Sequence, residues 1–295
     1  MVVAARSALD AASDRRLLAL HLVVDASTGE QFALIRQVLE CALGTAFRAA
    51  PVNESFLAAR SPTFRRVFAA DVDHMNRTRK NLVKAPANYI RLYLPALFPH
   101  LAGELVIYLD SDVLVSADLA LLAGQADAAL SSSKTRRVVL PAVAGVKKSS
   151  MHPQYSSAWA RRHPWDPRNI SVFNAGVMVI DLGRWQALRL TAATESWLDE
   201  YEGGGSQMPV NLAVANSSWA ELHRTWNCFI RGNNIETDRK YQASSQDACI
   251  GSPRIRHWTG RQKPWLPRGH LRFFWVAHAH RIRPCLERLP HIFSS

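Results

Sequence analysis

Two carboxylates one residue apart, Asp110 and Asp112, close an apolar run in YLDSDVLV, residues 108–115. An uncompensated buried charge is costly, so acids at the end of a core strand call for solvent or a cation. Asp-x-Asp in that place can hold Mg²⁺ or Mn²⁺ while leaving coordination positions for water and phosphate oxygens. The plainer alternative is a surface turn or a helix N-cap. A second cluster lies in HWTGRQKPW, residues 257–265. A neutral His257 imidazole completes a mixed N/O metal site, Gly260 lets backbone approach a diphosphate, and Lys263 supplies a point charge to it. Packing and surface roles are the alternative there. A third, FNAGVMVIDLGRW (173–185), sets Asn174, Ala175 and Gly176 in an apolar run. Small residues admit close approach to the backbone and the amide can bond hydroxyls, although a β-bulge in a core strand explains the same residues.

The elements that must position these groups alternate. LLALHLVVDAS (17–27) reads as a buried strand ending in polar residues, and GEQFALIRQVLECAL (29–43) as a helix with Phe32, Ile35, Leu39 and Leu43 at helical spacing. NYIRLYLPALFP (88–99) reads as a helix broken by prolines, feeding a buried strand ELVIYL (104–109). RVVLPAVAGV (137–146) and VFNAGVMVIDL (172–182) read as strands, and RWQALRLTAATESWLDEY (184–201) as one amphipathic helix. The last ninety or so residues read as loop-rich, with tryptophans and basic, proline-containing segments. The alternation predicts an α/β fold, a mostly parallel sheet with helices on both faces, whose ligands bind beyond the carboxyl ends of strands. Asp25 to Ser27 and Asp110 to Asp112 then face one crevice. Residues 1–16 are expected as an N-terminal tail and 17–295 as a single domain.

With 295 residues, 48% of them hydrophobic and 20% charged, the chain has an ordinary globular composition. The net charge of +12 and pI near 10.1 favour an anionic ligand. No basic helix, zinc-finger spacing or aromatic RNA-binding signature accompanies the charge, so nucleic acid is not the expected partner. The four cysteines, Cys41, Cys228, Cys249 and Cys285, lack metal-site spacing and permit disulfides without requiring them. Sequons at Asn53, Asn76, Asn169 and Asn216 favour a secretory lumen. Membrane association is expected only through a targeting anchor, which this sequence does not contain.

Together the DxD, the NAG strand and HWxGxxKPW stand in the order and rough spacing of glycosyltransferase family 8. The chain resembles that family over most of residues 20–265. It looks most like the plant galacturonosyltransferase-like branch, through NYIRLYLPALFP, FNAGVMVIDLGRW, HRTWN, HWTGRQKPW and RPCLERLP (283–290). The resemblance implies a GT-A fold with a Rossmann-like nucleotide-sugar domain and retaining transfer from a UDP-sugar in the Golgi lumen. It also implies a glycan acceptor, possibly pectic and polyanionic. Asp110, Asp112 and His257 would hold Mn²⁺, with Mg²⁺ as the alternative. Gly260 and Lys263 would contact the diphosphate, and Lys263 with the metal would stabilise the departing UDP oxygen. Arg91 would lie near the donor phosphate and sugar, Asn174, Ala175 and Gly176 beside the sugar, Asp25, Ala26 and Ser27 at the uridine, and Ser111 among the substrate contacts. Galacturonosyl is the expected donor unit, and UDP-glucose, UDP-galactose or UDP-xylose the alternatives, on a protein or lipid acceptor.

One position departs from the family pattern. The DQxxxN motif near the reactive face of the sugar is matched here by Ser206, Gln207 and Asn211, so a serine stands in place of the acid. In that register Gln207 turns its amide oxygen to the forming oxocarbenium, and Ser206→Asp is expected to be tolerated. The missing acid also leaves open a degenerate UDP-sugar-binding homologue.

Overall fold

A computed structural model describes residues 1–44, 47–69, 85–132, 140–144, 172–200, 205–214, 219–230, 249, 252–259 and 262–287. Among them are nine strands: β1 (Leu20–Asp25), β2 (Phe47–Val52), β3 (Leu105–Leu109), β4 (Val113–Val115), β5 (Leu140–Ala144), β6 (Phe173–Asp181), β7 (Trp219–Glu221), β8 (Cys228–Phe229) and β9 (Ile255–His257). Helices separate most of them, so the α/β class expected from the alternation is the one adopted. The chain gathers into two compact units. One comprises residues 1–50, 109–126 and 223–295, the other residues 51–108 and 127–222. The boundary at 108/109 falls just before Asp110.

In the first unit the sheet order is β4-β9-β8, with β4 and β9 antiparallel and β8 and β9 parallel, beside a pair formed by β1 and β2. The expected N-terminal tail is instead helical over much of its length. Helix α1 (Val2–Ala11) buries Val3, Ala4, Ala5, Ala8 and Leu9. Its Ser7 hydroxyl accepts from Val115 N–H at 3.0 Å and donates to Ala4 O at 2.7 Å. β4 is an edge strand whose outward amide would otherwise be buried without an acceptor, and Ser7 supplies one. Helix α2 (Gly29–Leu43) lies where its apolar period puts it, starting at Thr28, whose hydroxyl accepts from Gln31 N–H. The C-terminal stretch read as loop contains a long helix, Arg272–Glu287. Pro284 sits in its last turns, where a proline hides the helical pattern from a sequence reading. Disulfides Cys41–Cys285, joining α2 to this helix, and Cys228–Cys249 take up all four cysteines.

The second unit is built on a sheet of order β3-β6-β5-β7, with β5 antiparallel to β6 and parallel to β7. β6 is buried almost throughout, as an apolar run between two neighbours requires. β3, expected as a buried strand, is half-buried at each position. The expected broken helix at 88–99 is a 3₁₀ turn (Ile90–Tyr93) followed by one short helix (Leu94–Leu97). The single helix expected over 184–201 is two, Leu182–Ala187 and Leu190–Glu200. Between them Arg189 takes a left-handed conformation, φ 53°. No helix among the described residues is long and apolar enough to cross a membrane.

Candidate functional site

The turn Asp110–Asp112 joins β3 to β4, and strand register does the rest. Val113 stands opposite His257 in the antiparallel β4/β9 pair, and Trp258 N–H donates to Asp112 O at 3.0 Å. That register sets the imidazole against the end of the turn. His257 Nε2 lies 3.3 Å from Asp112 Oδ1 and 3.8 Å from Asp110 Oδ2. Ligand atoms of Asp110, Asp112 and His257 all lie within 4.8 Å of one another. His257 and Asp112 are buried, Asp110 is half-buried and Ser111 exposed.

On its other nitrogen, His257 Nδ1 meets Asn227 Oδ1 at 2.8 Å. Lys263 brings its ammonium onto Asp112 Oδ2 and donates to Trp258 O at 2.6 Å. Burial alone would push the Asp112 carboxyl up. The hydrogen bond and charge of His257 and the charge of Lys263 outweigh that, holding it well below the usual carboxylate range. Two carboxylates and an imidazole converging in a half-buried turn form the mixed N/O donor set of a divalent-metal site. The residues therefore fit a divalent ion.

Lys263 is positioned by a tight loop. Leu266 N–H donates to Lys263 O and Gly269 N–H to Leu266 O, and the Trp258 indole donates to His270 O at 2.7 Å. A Cβ on Gly269 would overlap the Lys263 carbonyl oxygen and approach Pro264 Cα to 2.9 Å. Gly260, within this segment, lies outside the described residues, as do the sequons at Asn76, Asn169 and Asn216.

Asp25, Ala26 and Ser27 follow β1. Asp25 is exposed, and Ala26 is buried in the same apolar cluster as Leu114 and Trp258. Gln31 Oε1 accepts from both the amide (2.8 Å) and the hydroxyl (3.0 Å) of Ser27. This bracing glutamine carried no signal beyond being four residues away on the next helix.

The remaining candidates belong to the second unit and meet on one edge of β6. Arg91 is buried, donates to Ala175 O at 2.6 Å and lies 4.9 Å from the Tyr108 ring centroid. Gln207 Oε1 accepts from Ala175 N–H at 3.3 Å, so the oxygen expected to face the sugar is engaged with the strand. Asn211 accepts from Phe173 N–H at 2.7 Å and donates to Phe173 O at 2.9 Å. Residues 173 and 175 point their backbone groups to one edge, and three side chains satisfy them there as a strand would. On the β5 side the pairing shifts from Ala142–Met178 to Ala144–Phe173, an irregularity that falls on the NAG segment. There Asn174 Oδ1 accepts from Gly176 N–H at 2.9 Å. The bulge and the small-residue segment are thus the same feature. Ser206 is buried, and its hydroxyl donates to Asn88 O.

Residues 1–269 match the glycosyl transferase family 8 model. The chain is 32% identical over 190 residues to probable galacturonosyltransferase-like 3 of Arabidopsis thaliana, covering 61% of this chain and 50% of that protein. It is 29% identical over 201 residues to glycosyltransferase 8 domain-containing protein 2 of Bos taurus, covering 61% and 54%. The chain spans about half the length of the curated relatives it matches. Among solved structures, galactosyltransferase LgtC in complex with donor and acceptor sugar analogs aligns with TM-score 0.61 at 18% identity, over 96% of this chain and 90% of that one. Mouse xyloside xylosyltransferase 1 aligns with TM-score 0.55 at 16% identity, over 88% and 90%. Likeness at such identities shows the fold, which is GT-A.

Proposed function

The chain belongs to glycosyl transferase family 8, and from that premise we propose that it is a retaining glycosyltransferase. It moves a hexosyl or hexuronosyl unit, galacturonosyl as first choice, from a UDP-sugar to a glycan acceptor. The observation that carries the reading is the convergence of Asp110, Asp112 and His257, with Lys263 on the same carboxylate. Asp110, Asp112 and His257 would hold Mn²⁺, or Mg²⁺ in its place. When bound, such an ion supplies Lewis acidity at the diphosphate, where negative charge grows as the glycosidic bond breaks. Lys263 adds a fixed positive charge for the departing UDP oxygen, so no proton donor is needed. Asp25, Ala26 and Ser27 remain assigned to the uridine, Gly260 to the diphosphate, Ser111 to the substrate contacts, Arg91 to the donor phosphate and sugar, and Asn174, Ala175 and Gly176 to the sugar. Gln207 is kept as a support of that strand, acting through Ala175 N–H.

The reading takes residues 17–295 as one catalytic domain, which a family match running through both units supports. The names of the Arabidopsis relatives support the galacturonosyl choice. So does the charge of +12, which draws a uronate donor and a polyanionic, pectin-like acceptor. Two disulfides favour an oxidising compartment, and the Golgi lumen is the one proposed. The galactosyl- and xylosyltransferase names of the structural neighbours favour a second reading, a neutral UDP-hexose or UDP-xylose donor.

One screen tests both: purified protein, a panel of UDP-sugars, Mn²⁺ or EDTA, with released UDP as the readout. Turnover of UDP-galacturonic acid that EDTA abolishes is expected. Preference for a neutral sugar promotes the second reading. UDP-sugar binding without release identifies a degenerate member, and turnover in EDTA removes the metal.

A further inference from the structure

We propose that Asn227 sets the tautomer of the neutral His257 ring, leaving Nε2, the nitrogen that faces the two carboxylates, as the one that ligates. The inference rests on the metal reading above and extends it to a residue that had no role in the sequence reading. Asn227 Oδ1 lies 2.8 Å from His257 Nδ1, and a carboxamide oxygen only accepts, so Nδ1 carries the proton. Nε2 is then the nitrogen left to ligate, 3.3 Å from Asp112 Oδ1 and 3.8 Å from Asp110 Oδ2. It donates to the carboxylates while no ion is bound and offers its lone pair once its own proton leaves. With the single proton of the neutral ring on Nε2 instead of Nδ1, the ring could not serve as a ligand. A metal-ligating histidine whose second nitrogen is held by a neighbouring acceptor is a general arrangement, because that bond selects both tautomer and ring orientation.

The partner is built in rather than adventitious. Asn227 and His257 are 3% and 2% exposed, so water does not compete for the bond. Asn227 ends the 3₁₀ turn Arg224–Asn227, which the neighbouring elements pin at several points. The Trp226 indole donates to Gln125 Oε1 at 2.8 Å, and Arg254 N–H to Thr225 O at 2.9 Å. Just beyond the turn, Ile230 N–H donates to His257 O at 2.7 Å. The parallel β8/β9 register, with Phe229 opposite His257, brings the carboxamide to the ring. Asn227 acts on the site through His257 and is a positioning residue.

The test compares wild type, Asn227→Leu and Asn227→Asp in the full chain. Asn227→Leu removes the acceptor at similar volume, and Asn227→Asp keeps it. Two-bond ¹H–¹⁵N spectra of the metal-free, histidine-labelled protein, recorded at the alkaline end of a pH series where the ring is neutral, read the tautomer directly. Mn²⁺ titration followed by EPR, without donor sugar, reads affinity. Wild type and Asn227→Asp should carry the proton on Nδ1, and Asn227→Leu on Nε2. Asn227→Leu should bind Mn²⁺ about 10- to 100-fold more weakly, with Asn227→Asp restoring most of the loss. A wild-type proton on Nε2, or wild-type affinity in Asn227→Leu, overturns the proposal. A wild-type protein that binds no Mn²⁺ yet carries the Nδ1 proton sinks the metal reading alone.

Discussion

The carboxamide of Asn211 brackets the backbone of Phe173, accepting from its amide at 2.7 Å and donating to its carbonyl at 2.9 Å. Its amino group also reaches Gln207 O at 2.8 Å, so one side chain ties the helix Gln207–Ala213 to the start of β6. At 1% exposure none of these bonds is shared with solvent. Asn211→Leu would bury an unpaired amide and an unpaired carbonyl, which predicts a loss of about 2–4 kcal/mol in urea unfolding. Asn211→Asp should be at least as harmful, since a carboxylate would face two carbonyl oxygens. A cost under about 0.5 kcal/mol for both would show that the bracket contributes nothing.

Ser206 offers a second test of that region. Its hydroxyl donates to Asn88 O from a buried position, and a carboxylate has no proton to donate. That bond reverses the expectation that an acid would be tolerated here. Ser206→Asp should lower stability by about 1–3 kcal/mol, and Ser206→Ala by about 1 kcal/mol, with no gain in donor hydrolysis. Equal stability of Ser206→Asp and wild type in thermal unfolding would restore the original expectation.

Much of this arrangement was legible. Helix α2 lies where the apolar period placed it, because Thr28 caps it and Leu39 and Leu43 are buried. The pair Asp110 and Asp112 and the distant His257 converge as their motifs implied. What escaped depends on pairings that no local pattern encodes. Helix α1 is alanine-rich, and its role appears only once Val115 presents an edge amide to Ser7. Asn227 sits in the HRTWN motif, but its partner is chosen by β8/β9 register. Gln207 does lie beside the NAG segment. The direction of its side chain was not legible, because Ala175 N–H is brought to it by the break in β5/β6 pairing.

Two glycines separate packing from propensity. Gly269→Ala puts a methyl group into the backbone of the Lys263–Leu266 turn, which cannot yield as a side-chain tip would. The expected loss is about 1–3 kcal/mol, with reduced transfer as Lys263 moves. Gly124, inside the helix Leu119–Ser132, has open space where an added methyl would sit, with nothing within 4 Å. Gly124→Ala should stabilise by about 0.5–1 kcal/mol through helix propensity. Calorimetry on the two variants should move Tm in opposite directions, and a neutral Gly269→Ala would contradict the tight turn.

Alkaline stability should report on Tyr89. Burial pushes its phenol up to about 12, partly opposed by the hydrogen bond from Gly205 N–H. The unfolded chain loses this proton near pH 10, while the folded one keeps it. Between those values the native state binds more protons, so stability falls as pH rises from about 10 to 12, by roughly 2–3 kcal/mol. Below pH 10 the contribution is fully present. Tyr89→Phe should flatten this part of the profile, and an unchanged slope would remove Tyr89 as its source.

On the proposed function, Lys263 and a divalent ion would compete for the same carboxylate. The ammonium rests on Asp112 Oδ2 while Oδ1 faces His257, so part of the Asp112 charge is already neutralised. Removing Lys263 therefore frees an oxygen and a negative charge for the metal. On the proposed function, Lys263→Ala should hold or tighten Mn²⁺ affinity measured without donor, by up to about tenfold, because an ammonium and a divalent cation repel at this range. The chemical step should fall in the same variant, since its charge matters most when the UDP oxygen becomes anionic. A loss of about 100-fold or more in single-turnover rate, with a smaller change in donor affinity, is expected. Asp110→Ala should do the reverse at the first stage, weakening Mn²⁺ while leaving the fold intact, since Asp110 is half-buried and not part of the core. EPR titration paired with rapid-quench transfer separates the two effects. Weaker Mn²⁺ binding in Lys263→Ala would show that the lysine supports the metal rather than competing with it. A change confined to the Michaelis constant would make Lys263 a ground-state contact and remove it from the leaving-group step.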